Sequence, residues 1–402
     1  MLLKVKTPCE VHKIIDERFT ICEFTSEKIK LADALGRVLH NEIISEENVP
    51  GFDRSTVDGY AVIASDTFGC SESIPAVLTI AGEVLMGEIA EYPIDTGTCV
   101  IVSTGGEIPD RADAVVMVEH TEEYGSGMVG IKKAVAPGNN VIFKGDDVSV
   151  GDRVLKAGAE LTPCDIGILS ALGYSEVNIR QKPVVGVIST GDELVETSCV
   201  PQNGQVRDVN TPMLMAAVSR FGAVAKNFGI ICDDEKAMRT ALRQSIETCN
   251  VILISGGSSA GVRDLTARVI ESEGKLLFHG IAMKPGKPTI LGVIDGKPVF
   301  GLPGHPVAAY LVTELYVRPL VAKFMGAIEA NRTTTARISE AISSNHGREE
   351  YIAVRLDDAG IAYPIKSKSG LITSLVGVDG YISVQRDCEG LSEGTEVFVT
   401  HF

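Results

Sequence analysis

The sequence predicts a multidomain protein of the α/β and β classes, in which a doubly wound α/β domain is joined to helical and all-β units. Three observations lead to this prediction. The chain has 402 residues, well above the roughly 150 residues of an ordinary domain. Apolar strands and amphipathic helices alternate from residue 183 to residue 281. Short β-rich runs occupy residues 76–150 and the chain beyond about residue 327.

The sequence pattern of the N-terminal region predicts helices before and after a β-rich unit. Apolar residues recur on one helical face from Val11 to Ile15, and a second apolar cluster covers Leu31 to Leu39, so we expect helices joined by charged turns. Residues 158–182 predict a further helix. The β-rich runs between these segments are separated by Gly, Pro and Asp, which is typical of a small all-β insertion.

The central region alternates strands and helices. The predicted strands cover residues 183–190, 223–232, 250–254 and 276–281, and the predicted helices cover residues 211–222, 234–249 and 264–272. This order predicts a parallel sheet with ligand sites outside the carboxyl ends of its strands. A long apolar helix follows, and we expect Pro319 to interrupt it. The last β-like runs predict a separate C-terminal barrel or sandwich.

The charge balance argues against large nucleic-acid and membrane surfaces. Lys and Arg number 37 against 53 Asp and Glu, a formal net charge of −16, and such an excess repels phosphate backbones and anionic lipids. No run approaches the roughly 20 apolar residues of a membrane span, so we expect a cytoplasmic protein. The nine cysteines include no C-x-x-C pair, which favours reduced thiols over disulfides or structural zinc.

Two glycine-rich runs favour different sites. Gly125–Gly130 fits G-x-G-x-x-G, but a strand-like segment follows, so we expect a hairpin turn. Residues 257–261 fit the G-x-S-x-G of a hydrolase nucleophile elbow, with Ser259 as the nucleophile. The same loop begins at Ser255 before a predicted helix, and consecutive backbone N–H groups there suit an anion equally well. Both interpretations stay open at this point.

Acidic residues follow three of the predicted strands. They are Asp192, Glu193, Asp233, Asp234 and Asp264. Because the carboxyl ends of parallel strands share one edge, we expect these acids to lie near the cationic loop of residues 284–287 and the turn of residues 301–304. Carboxylates hold hydrated Mg²⁺, while lysines and glycine amides bind phosphate oxygens. The combination predicts a nucleotide-phosphate site.

Seven motifs occur in order along nearly the whole chain. They are PGFDRSTVDGYA (50–61), STGGEIPDRADAVV (103–116), GDDVSVGD (145–152), STGDEL (189–194), SGGSSAGVRD (255–264), MKPGKP (283–288) and GLPGHPV (301–307). Together they resemble the molybdopterin molybdenumtransferase family, whose members act in the last step of molybdenum cofactor synthesis and include the E-domain of gephyrin.

The resemblance implies four domains and a homodimer. The domains would be a helical linker region (1–48 and 140–181), an inserted β domain (49–139), a molybdopterin-binding α/β domain (182–326) and a C-terminal β-barrel (327–402). The active cleft would form between the α/β domain of one subunit and the inserted domain of the other. The molybdopterin adenylyltransferase is a candidate partner, and we expect neither nucleic acid nor membrane to be one.

The resemblance also implies a reaction. Adenylylated molybdopterin binds, its pyrophosphate bond is hydrolysed with Mg²⁺, and molybdate or tungstate is inserted with release of AMP. The implied catalytic residues are Asp58, Thr104, Asp147, Glu193 and Asp264. The implied magnesium ligands are Asp147, Glu193, Asp233, Asp234 and Asp264. The implied substrate-binding residues are Ser255, Gly256, Gly257, Ser259, Lys284, Gly286, Lys287, Pro303, Gly304 and His305.

Four positions depart from the family pattern. His305 and Ala308 stand where the family usually carries Asn and Ser, Val262 where an acid is common, and Ala353 where many members have Arg. Each lost oxyanion donor is typically worth about 1.5–3 kcal/mol. Two alternatives to an insertase therefore stay open: a pterin-binding or scaffold paralogue that has lost insertion, and a serine hydrolase that uses Ser259.

Overall fold

A computed structural model describes residues 5–20, 24–256, 260–328, 332–344, 346–365 and 368–402, with the backbone alone for residues 260–264. The described part of the first 180 residues carries two α-helices and twelve strands. The helices are α1 (Pro8–Arg18) and α2 (Pro163–Ala171), and the strands are β1 (Ser26–Lys30), β2 (Ile43–Ile44), β3 (Arg54–Ser55), β4 (Gly59–Val62), β5 (Ala76–Val84), β6 (Thr98–Val102), β7 (Ala114–Met117), β8 (Thr121–Gly125), β9 (Met128–Ile131), β10 (Val141–Ile142), β11 (Arg153–Leu155) and β12 (Glu176–Arg180).

Helix α1 begins with a capping box. The Glu10 backbone N–H donates to Thr7 Oγ1 at 3.3 Å, and the Thr7 backbone N–H donates to Glu10 Oε2 at 2.8 Å, so the reciprocal pair satisfies donors that the helix end leaves free. The buried face of α1, with Val11 and Ile15, packs into the core of the α/β sheet. The predicted helix over residues 11–15 is therefore confirmed.

The helix predicted over residues 31–39 is wrong. After β1 the chain makes a single 3₁₀ turn, Leu31–Asp33. Val38 and Leu39 then form isolated bridges with Glu160 and Ile179. A short apolar run cannot distinguish a helix from a buried extended segment, and here the neighbouring backbone provides extended partners.

Three short antiparallel pairings lead into and out of the inserted sheet. Strand β1 pairs with β12, β2 with β11 and β3 with β10. Between β3 and β10 the chain forms a six-stranded sheet in the order β7-β4-β6-β5-β9-β8. Strands β8 and β9 are joined by Ser126 and Gly127, both with positive φ (55° and 74°), which confirms the predicted hairpin at Gly125–Gly130.

The α/β domain is a six-stranded sheet with helices on both faces. Its helices are α3 (Asn210–Arg220), α4 (Glu235–Thr248), α5 (Ala260–Glu273), α6 (Pro306–Val312) and α7 (Arg318–Met325), and the strands of residues 184–302 are β13 (Val184–Thr190), β14 (Leu194–Val195), β15 (Val206–Arg207), β16 (Val224–Ile231), β17 (Val251–Gly256), β18 (Lys275–His279), β19 (Met283–Lys284), β20 (Ile290–Ile294) and β21 (Lys297–Leu302). Helices α1, α3, α6 and α7 cover one face, and α4 and α5 cover the other.

The sheet order is β16-β13-β17-β21-β20-β18, and its first four strands pair in parallel. Strand β20 pairs antiparallel with β21, and β18 pairs antiparallel with β20. Strand β18 therefore runs in the direction of the parallel set, as expected, and β20 is the one reversed strand of this sheet. Asp295 and Gly296, both with positive φ, make the tight turn between β20 and β21. This hairpin places the reversed strand β20 between β21 and the edge strand β18, so the doubly wound domain is confirmed with a mixed sheet.

Pro319 does not interrupt the long apolar helix. A π-helical turn, Thr313–Val317, connects α6 directly to α7. Pro319 lies in the first turn of α7, directly after the π turn, and a proline there cannot donate a backbone hydrogen bond to the preceding turn. The irregularity therefore precedes the proline and takes the form of a π turn.

The C-terminal strands close into a five-stranded barrel. Its strands, with two short accessory ones, are β22 (Thr333–Ile338), β23 (Ile342–Ser343), β24 (Glu349–Leu356), β25 (Ile361–Pro364), β26 (Gly380–Val384), β27 (Gly390–Leu391) and β28 (Glu396–His401). The cycle β24-β25-β22-β28-β26 closes because β24 also pairs with β26. Strand β19 adds to β24, which ties the MKPGKP loop of the α/β domain to the barrel.

Candidate functional site

The carboxyl ends of the parallel strands meet at one edge, as the alternation predicts. Thr190 at the end of β13 pairs with Ile231 and with Gly256, and Ser255 pairs with Leu302. A Cβ atom on Gly256 would lie 2.0 Å from the Thr190 carbonyl oxygen, so this close approach of β17 to β13 requires glycine. The loops that carry the predicted site residues therefore start side by side.

The two neighbouring acids after β16 have different surroundings. Thr190 Oγ1 donates to Asp233 Oδ1 at 2.6 Å, and the Asp233 backbone N–H donates to Asp192 Oδ1 at 3.1 Å. Asp234 is instead the N-cap of α4, since its Oδ1 accepts from the Ala237 backbone N–H at 2.8 Å. The structure thus places Asp233 against the strand edge, while Asp234 satisfies a helix end.

A cavity of about 390 Å³, here called the strand-end cavity, opens at this edge. Glu193 lines it, together with Ser255, Gly256, Gly304 and His305. Sequence reasoning missed Asn210, the first residue of α3, which also lines it. The sequence could have indicated Asn210 as a site residue, because it begins a helix directly after a strand-end loop.

Asn210 holds two of the strand-end loops together. Its Nδ2 donates to Ser255 Oγ at 2.8 Å and to the Gly304 carbonyl oxygen at 2.9 Å. A carbonyl oxygen can only accept, so the amide orientation of Asn210 is fixed. The bond network positions the end of β17 against the turn that follows β21.

A larger cavity of about 780 Å³, here called the interdomain cavity, lies between the α/β domain and the barrel. Its described lining carries more cations than carboxylates: Lys284, Lys287, Arg348 and Lys368 against Glu350. Lys284 Nζ pairs with Glu350 Oε1 at 2.7 Å. An excess of cations in a partly enclosed space attracts anions, although the chain as a whole is strongly acidic.

The predicted turn residues lie between the two cavities. Pro303 lines the interdomain cavity, whereas Gly304 and His305 line both cavities. His305 Nδ1 is 2.8 Å from Ser369 Oγ of the barrel. In the cationic loop, a Cβ on Gly286 would lie 2.9 Å from Val312, so this glycine lets the loop pack closely on α6.

The predicted residues of the inserted domain form a separate pair. Asp58 Oδ1 accepts from the Thr104 backbone N–H at 2.7 Å and from Thr104 Oγ1 at 3.0 Å. These two hydrogen bonds, the backbone one first, lower the pKa of the Asp58 carboxyl below its usual value. Asp147 is exposed, and its backbone N–H donates to the Val49 carbonyl oxygen at 3.1 Å.

The described side chains do not by themselves form the predicted magnesium site. In the described ranges, no three His, Cys, Asp or Glu side chains are grouped so that they could hold a metal ion. Gly257, Ser259 and the side chain of Asp264 lie outside the described residues. The assignments of Asp147, Glu193, Asp233, Asp234 and Asp264 therefore stay predictions, and we derive no geometry for the ion.

Comparison with known proteins identifies the chain's relatives. Residues 7–173 match the MoeA N-terminal region (domain I and II), residues 186–323 a probable molybdopterin binding domain, and residues 335–402 the MoeA C-terminal region (domain IV). A molybdopterin molybdenumtransferase of Bacillus subtilis is 30% identical over 415 residues, which cover 99% of this chain and 95% of the relative. The chain belongs to the molybdopterin molybdenumtransferase family.

Two further relatives of this molybdopterin molybdenumtransferase family member are similar to it over nearly its full length. A putative molybdopterin biosynthesis protein of Methanocaldococcus jannaschii is 32% identical over 401 residues, or 96% of each chain. The crystal structure of a MoeA protein from Pyrococcus horikoshii OT3 superposes with a TM-score of 0.88 at 34% identity, covering 99% of this chain and 100% of that one. These matches confirm the resemblance and the multidomain fold. None of the described helices is both long and apolar enough to cross a membrane.

Proposed function

We propose that the protein is a molybdenum insertase, which transfers molybdate or tungstate to adenylylated molybdopterin with Mg²⁺-dependent hydrolysis and release of AMP. The observation that carries this proposal is the pair of adjoining cavities. One lies at the strand ends beside Glu193 and glycine backbone, and the other is lined by lysines and Arg348. A reaction between a nucleotide-linked pterin and an oxyanion needs two such neighbouring compartments.

The strand-end cavity is the proposed position of the substrate's diphosphate. Splitting a phosphoanhydride depends mainly on positioning and charge neutralisation. Glu193 would orient the attacking water and accept its proton, and AMP leaves as the phosphoanhydride bond breaks. The Asn210 bonds to Ser255 and Gly304 keep the surrounding loops in place, so that the cavity is formed before substrate binds.

The interdomain cavity is the proposed position of the oxyanion. Lys284 and Lys287 lie on the loop that β19 attaches to the barrel, and charged donors of this kind suit a tetrahedral dianion. Lys287 and the turn of residues 303–305 line the same cavity, and this turn also borders the strand-end cavity.

We infer that a second subunit completes the site. Asp58 and Thr104 belong to the inserted domain, where they bond to each other, whereas Glu193 and Asp233 lie at the strand ends of the α/β domain. In a homodimer the inserted domain of one subunit would face the α/β domain of the other. A magnesium ion bound there would neutralise the diphosphate, with Asp147 and Glu193 among its proposed ligands.

The experiment mixes the protein with adenylylated molybdopterin, Mg²⁺ and molybdate or tungstate, and follows AMP release and active cofactor. We expect Glu193→Gln and Asp147→Asn to lower the rate of AMP release about 100-fold or more while pterin affinity changes little, because these acids act on the reacting diphosphate. Wild-type rates in both variants would contradict the assignment.

The same assay separates the alternatives. Pterin binding without AMP release would favour the scaffold paralogue, which the departures at Val262, Ala308 and Ala353 motivate. Labelling of Ser259 by a fluorophosphonate probe would favour the hydrolase.

The thiols of the described cysteines are free, which supports a reducing, cytoplasmic compartment. Co-purification with a molybdopterin adenylyltransferase would test that candidate partner.

A further inference from the structure

One wall separates the strand-end cavity from the interdomain cavity. Gly304 and His305 line both cavities, while Ser369 of the barrel lines the interdomain cavity and Gly370 lines the strand-end cavity. Two contacts close the wall: His305 Nδ1 lies 2.8 Å from Ser369 Oγ, and the Val307 backbone N–H donates to the Ser369 carbonyl oxygen at 3.2 Å. The His305 imidazole therefore stands where contents of the two cavities would meet.

The contact with Ser369 occupies the Nδ1 atom of His305, and the serine hydroxyl can donate to this atom or accept from it. When the serine hydroxyl donates to Nδ1, the proton of the neutral imidazole is on Nε2. Nε2 makes no hydrogen bond to any described residue. An anion at the wall selects this form, because the alternative tautomer would direct a lone pair toward negative charge. His305 can thus offer one free N–H donor without a change in net charge.

Two alanines, Ala308 and Ala353, line the interdomain cavity together with His305. Ala308 lies in the first turn of α6, for which His305 is the N-cap residue, and Ala353 comes from β24 of the barrel. Neither alanine side chain can donate a hydrogen bond, so the donors at this end of the cavity must come from other residues.

We propose that His305 Nε2–H is a hydrogen-bond donor to the tetrahedral oxyanion and that Ser369 is its positioning residue. This inference rests on the proposed function, since the oxyanion is its molybdate or tungstate. It assigns specificity for the oxyanion to the wall between the cavities, in addition to the cationic loop of residues 284–287. His305 thereby supplies the donor that Ala308 and Ala353 cannot.

The test measures tungstate binding to the full-length protein by titration calorimetry at low salt, without pterin. Asn at this position reproduces the Nδ1 end of histidine, and Gln reproduces the Nε2 end. We expect His305→Gln to stay within about threefold of wild-type affinity, and His305→Asn and His305→Ala to bind about 10- to 100-fold more weakly. Normal binding by His305→Ala, or retention by Asn and loss by Gln, would overturn the proposal.

A double-mutant cycle tests the role of Ser369. We expect Ser369→Ala to weaken tungstate binding about three- to tenfold, and the double variant with His305→Ala to bind no more weakly than His305→Ala alone, because the two groups act through one donor. Additive losses would show that Ser369 acts independently. His120→Gln, in the inserted domain, is the matched control.

The proton position can be read directly. In ¹⁵N-imidazole NMR spectra of the tungstate-bound wild type, we expect the His305 signal of the Nε2–H form, and an Nδ1–H form would contradict the proposal. Because tungstate binding is measured without turnover, failure of the two proposals is distinguishable. A protein that binds tungstate through His305 but releases no AMP would retain this inference and lose the insertase activity.

Discussion

The Asp58 carboxylate shows how two hydrogen bonds can favour the charged form of an exposed acid. Both come from Thr104, and both depend on the pairing of β4 with β6, which brings the two motifs together. Because the folded-state pKa is lowered, this group adds stability above its unfolded pKa, and that stability is lost as pH falls through the folded pKa.

Thr104→Val should therefore raise the pKa of Asp58 toward, but not up to, its ordinary value, because the larger contribution from the Thr104 backbone N–H remains. The carboxyl carbon shift of Asp58 followed by NMR across the acidic range measures this. Thr79→Val, an exposed threonine in β5 of the same sheet, is the control. An unchanged pKa in Thr104→Val would mean that the hydroxyl bond does not persist in solution.

Asp233 and Asp234 should respond differently to substitution. Removing the α4 cap with Asp234→Ala should cost about 1 kcal/mol of unfolding free energy in urea, whereas Asp234→Asn should stay within a few tenths because asparagine also caps. Asp233→Asn should lower AMP release more than Asp234→Asn, because Asp233 faces Thr190 at the strand edge. Equal losses of AMP release in Asp233→Asn and Asp234→Asn would indicate that Asp234 also takes part in the reaction.

The π-helical turn between α6 and α7 carries the most buried carboxylate in the described salt bridges. The Glu314 side chain is 1% exposed and faces Arg220, Arg318 at 3.4 Å and Arg332 at 3.8 Å. These arginines come from α3, α7 and the chain entering the barrel. One acid thus joins the α/β domain to the chain that enters the barrel.

Glu314→Gln should destabilise the protein by about 2–3 kcal/mol. Breaking a fully buried pair typically costs about 3–5 kcal/mol, but the arginines here are partly exposed and water screens them. Urea unfolding measures the change. The control is Glu176→Gln, which breaks the exposed pair with Lys28 and should cost at most about 1 kcal/mol. Equal losses in the two variants would contradict a special role for Glu314.

Sequence patterns predicted most helices and strands, but not how all of the strands of the α/β sheet pair. The helices α3 and α4 were recognised because each has a buried face, and the strands β13 and β17 because each is a nearly continuous buried apolar run. Helix α2 and strand β16 were also recognised, although only Leu169 of α2 and no residue of β16 is fully buried. The hairpin β20–β21 was missed, although Asp295-Gly296 carries the signature of a tight turn. That omission left out β20, the reversed strand that separates β18 from the other parallel strands.

At the scale of the whole molecule, a shared active site makes a distinctive prediction. If the inserted domain of one subunit faces the α/β domain of the other, mixing inactive Asp58→Asn and Glu193→Gln proteins should restore about one quarter of wild-type AMP release. The reason is statistical: half of the exchanged dimers are mixed, and each mixed dimer has one intact site of two.

A pairing of Glu193→Gln with Asp233→Asn provides the control for this experiment. Both residues belong to the α/β domain, so every site in a mixed dimer stays damaged and no activity should return. Subunit exchange must be verified by mass spectrometry of differentially labelled chains. Verified exchange without recovery in the first mixture would place the complete site within a single subunit.

The sequence by itself determined the order of the domains and the residues at the strand ends, because both follow from local periodicity and from motifs that the chain carries in one dimension. Only the tertiary structure decided that Asp233 faces Thr190 while Asp234 caps a helix. It also decided that Asn210 joins two loops and that His305 meets Ser369 across a domain boundary. These contacts join residues that are up to 94 positions apart in the chain, and such pairings depend on how sheets and domains pack rather than on local sequence.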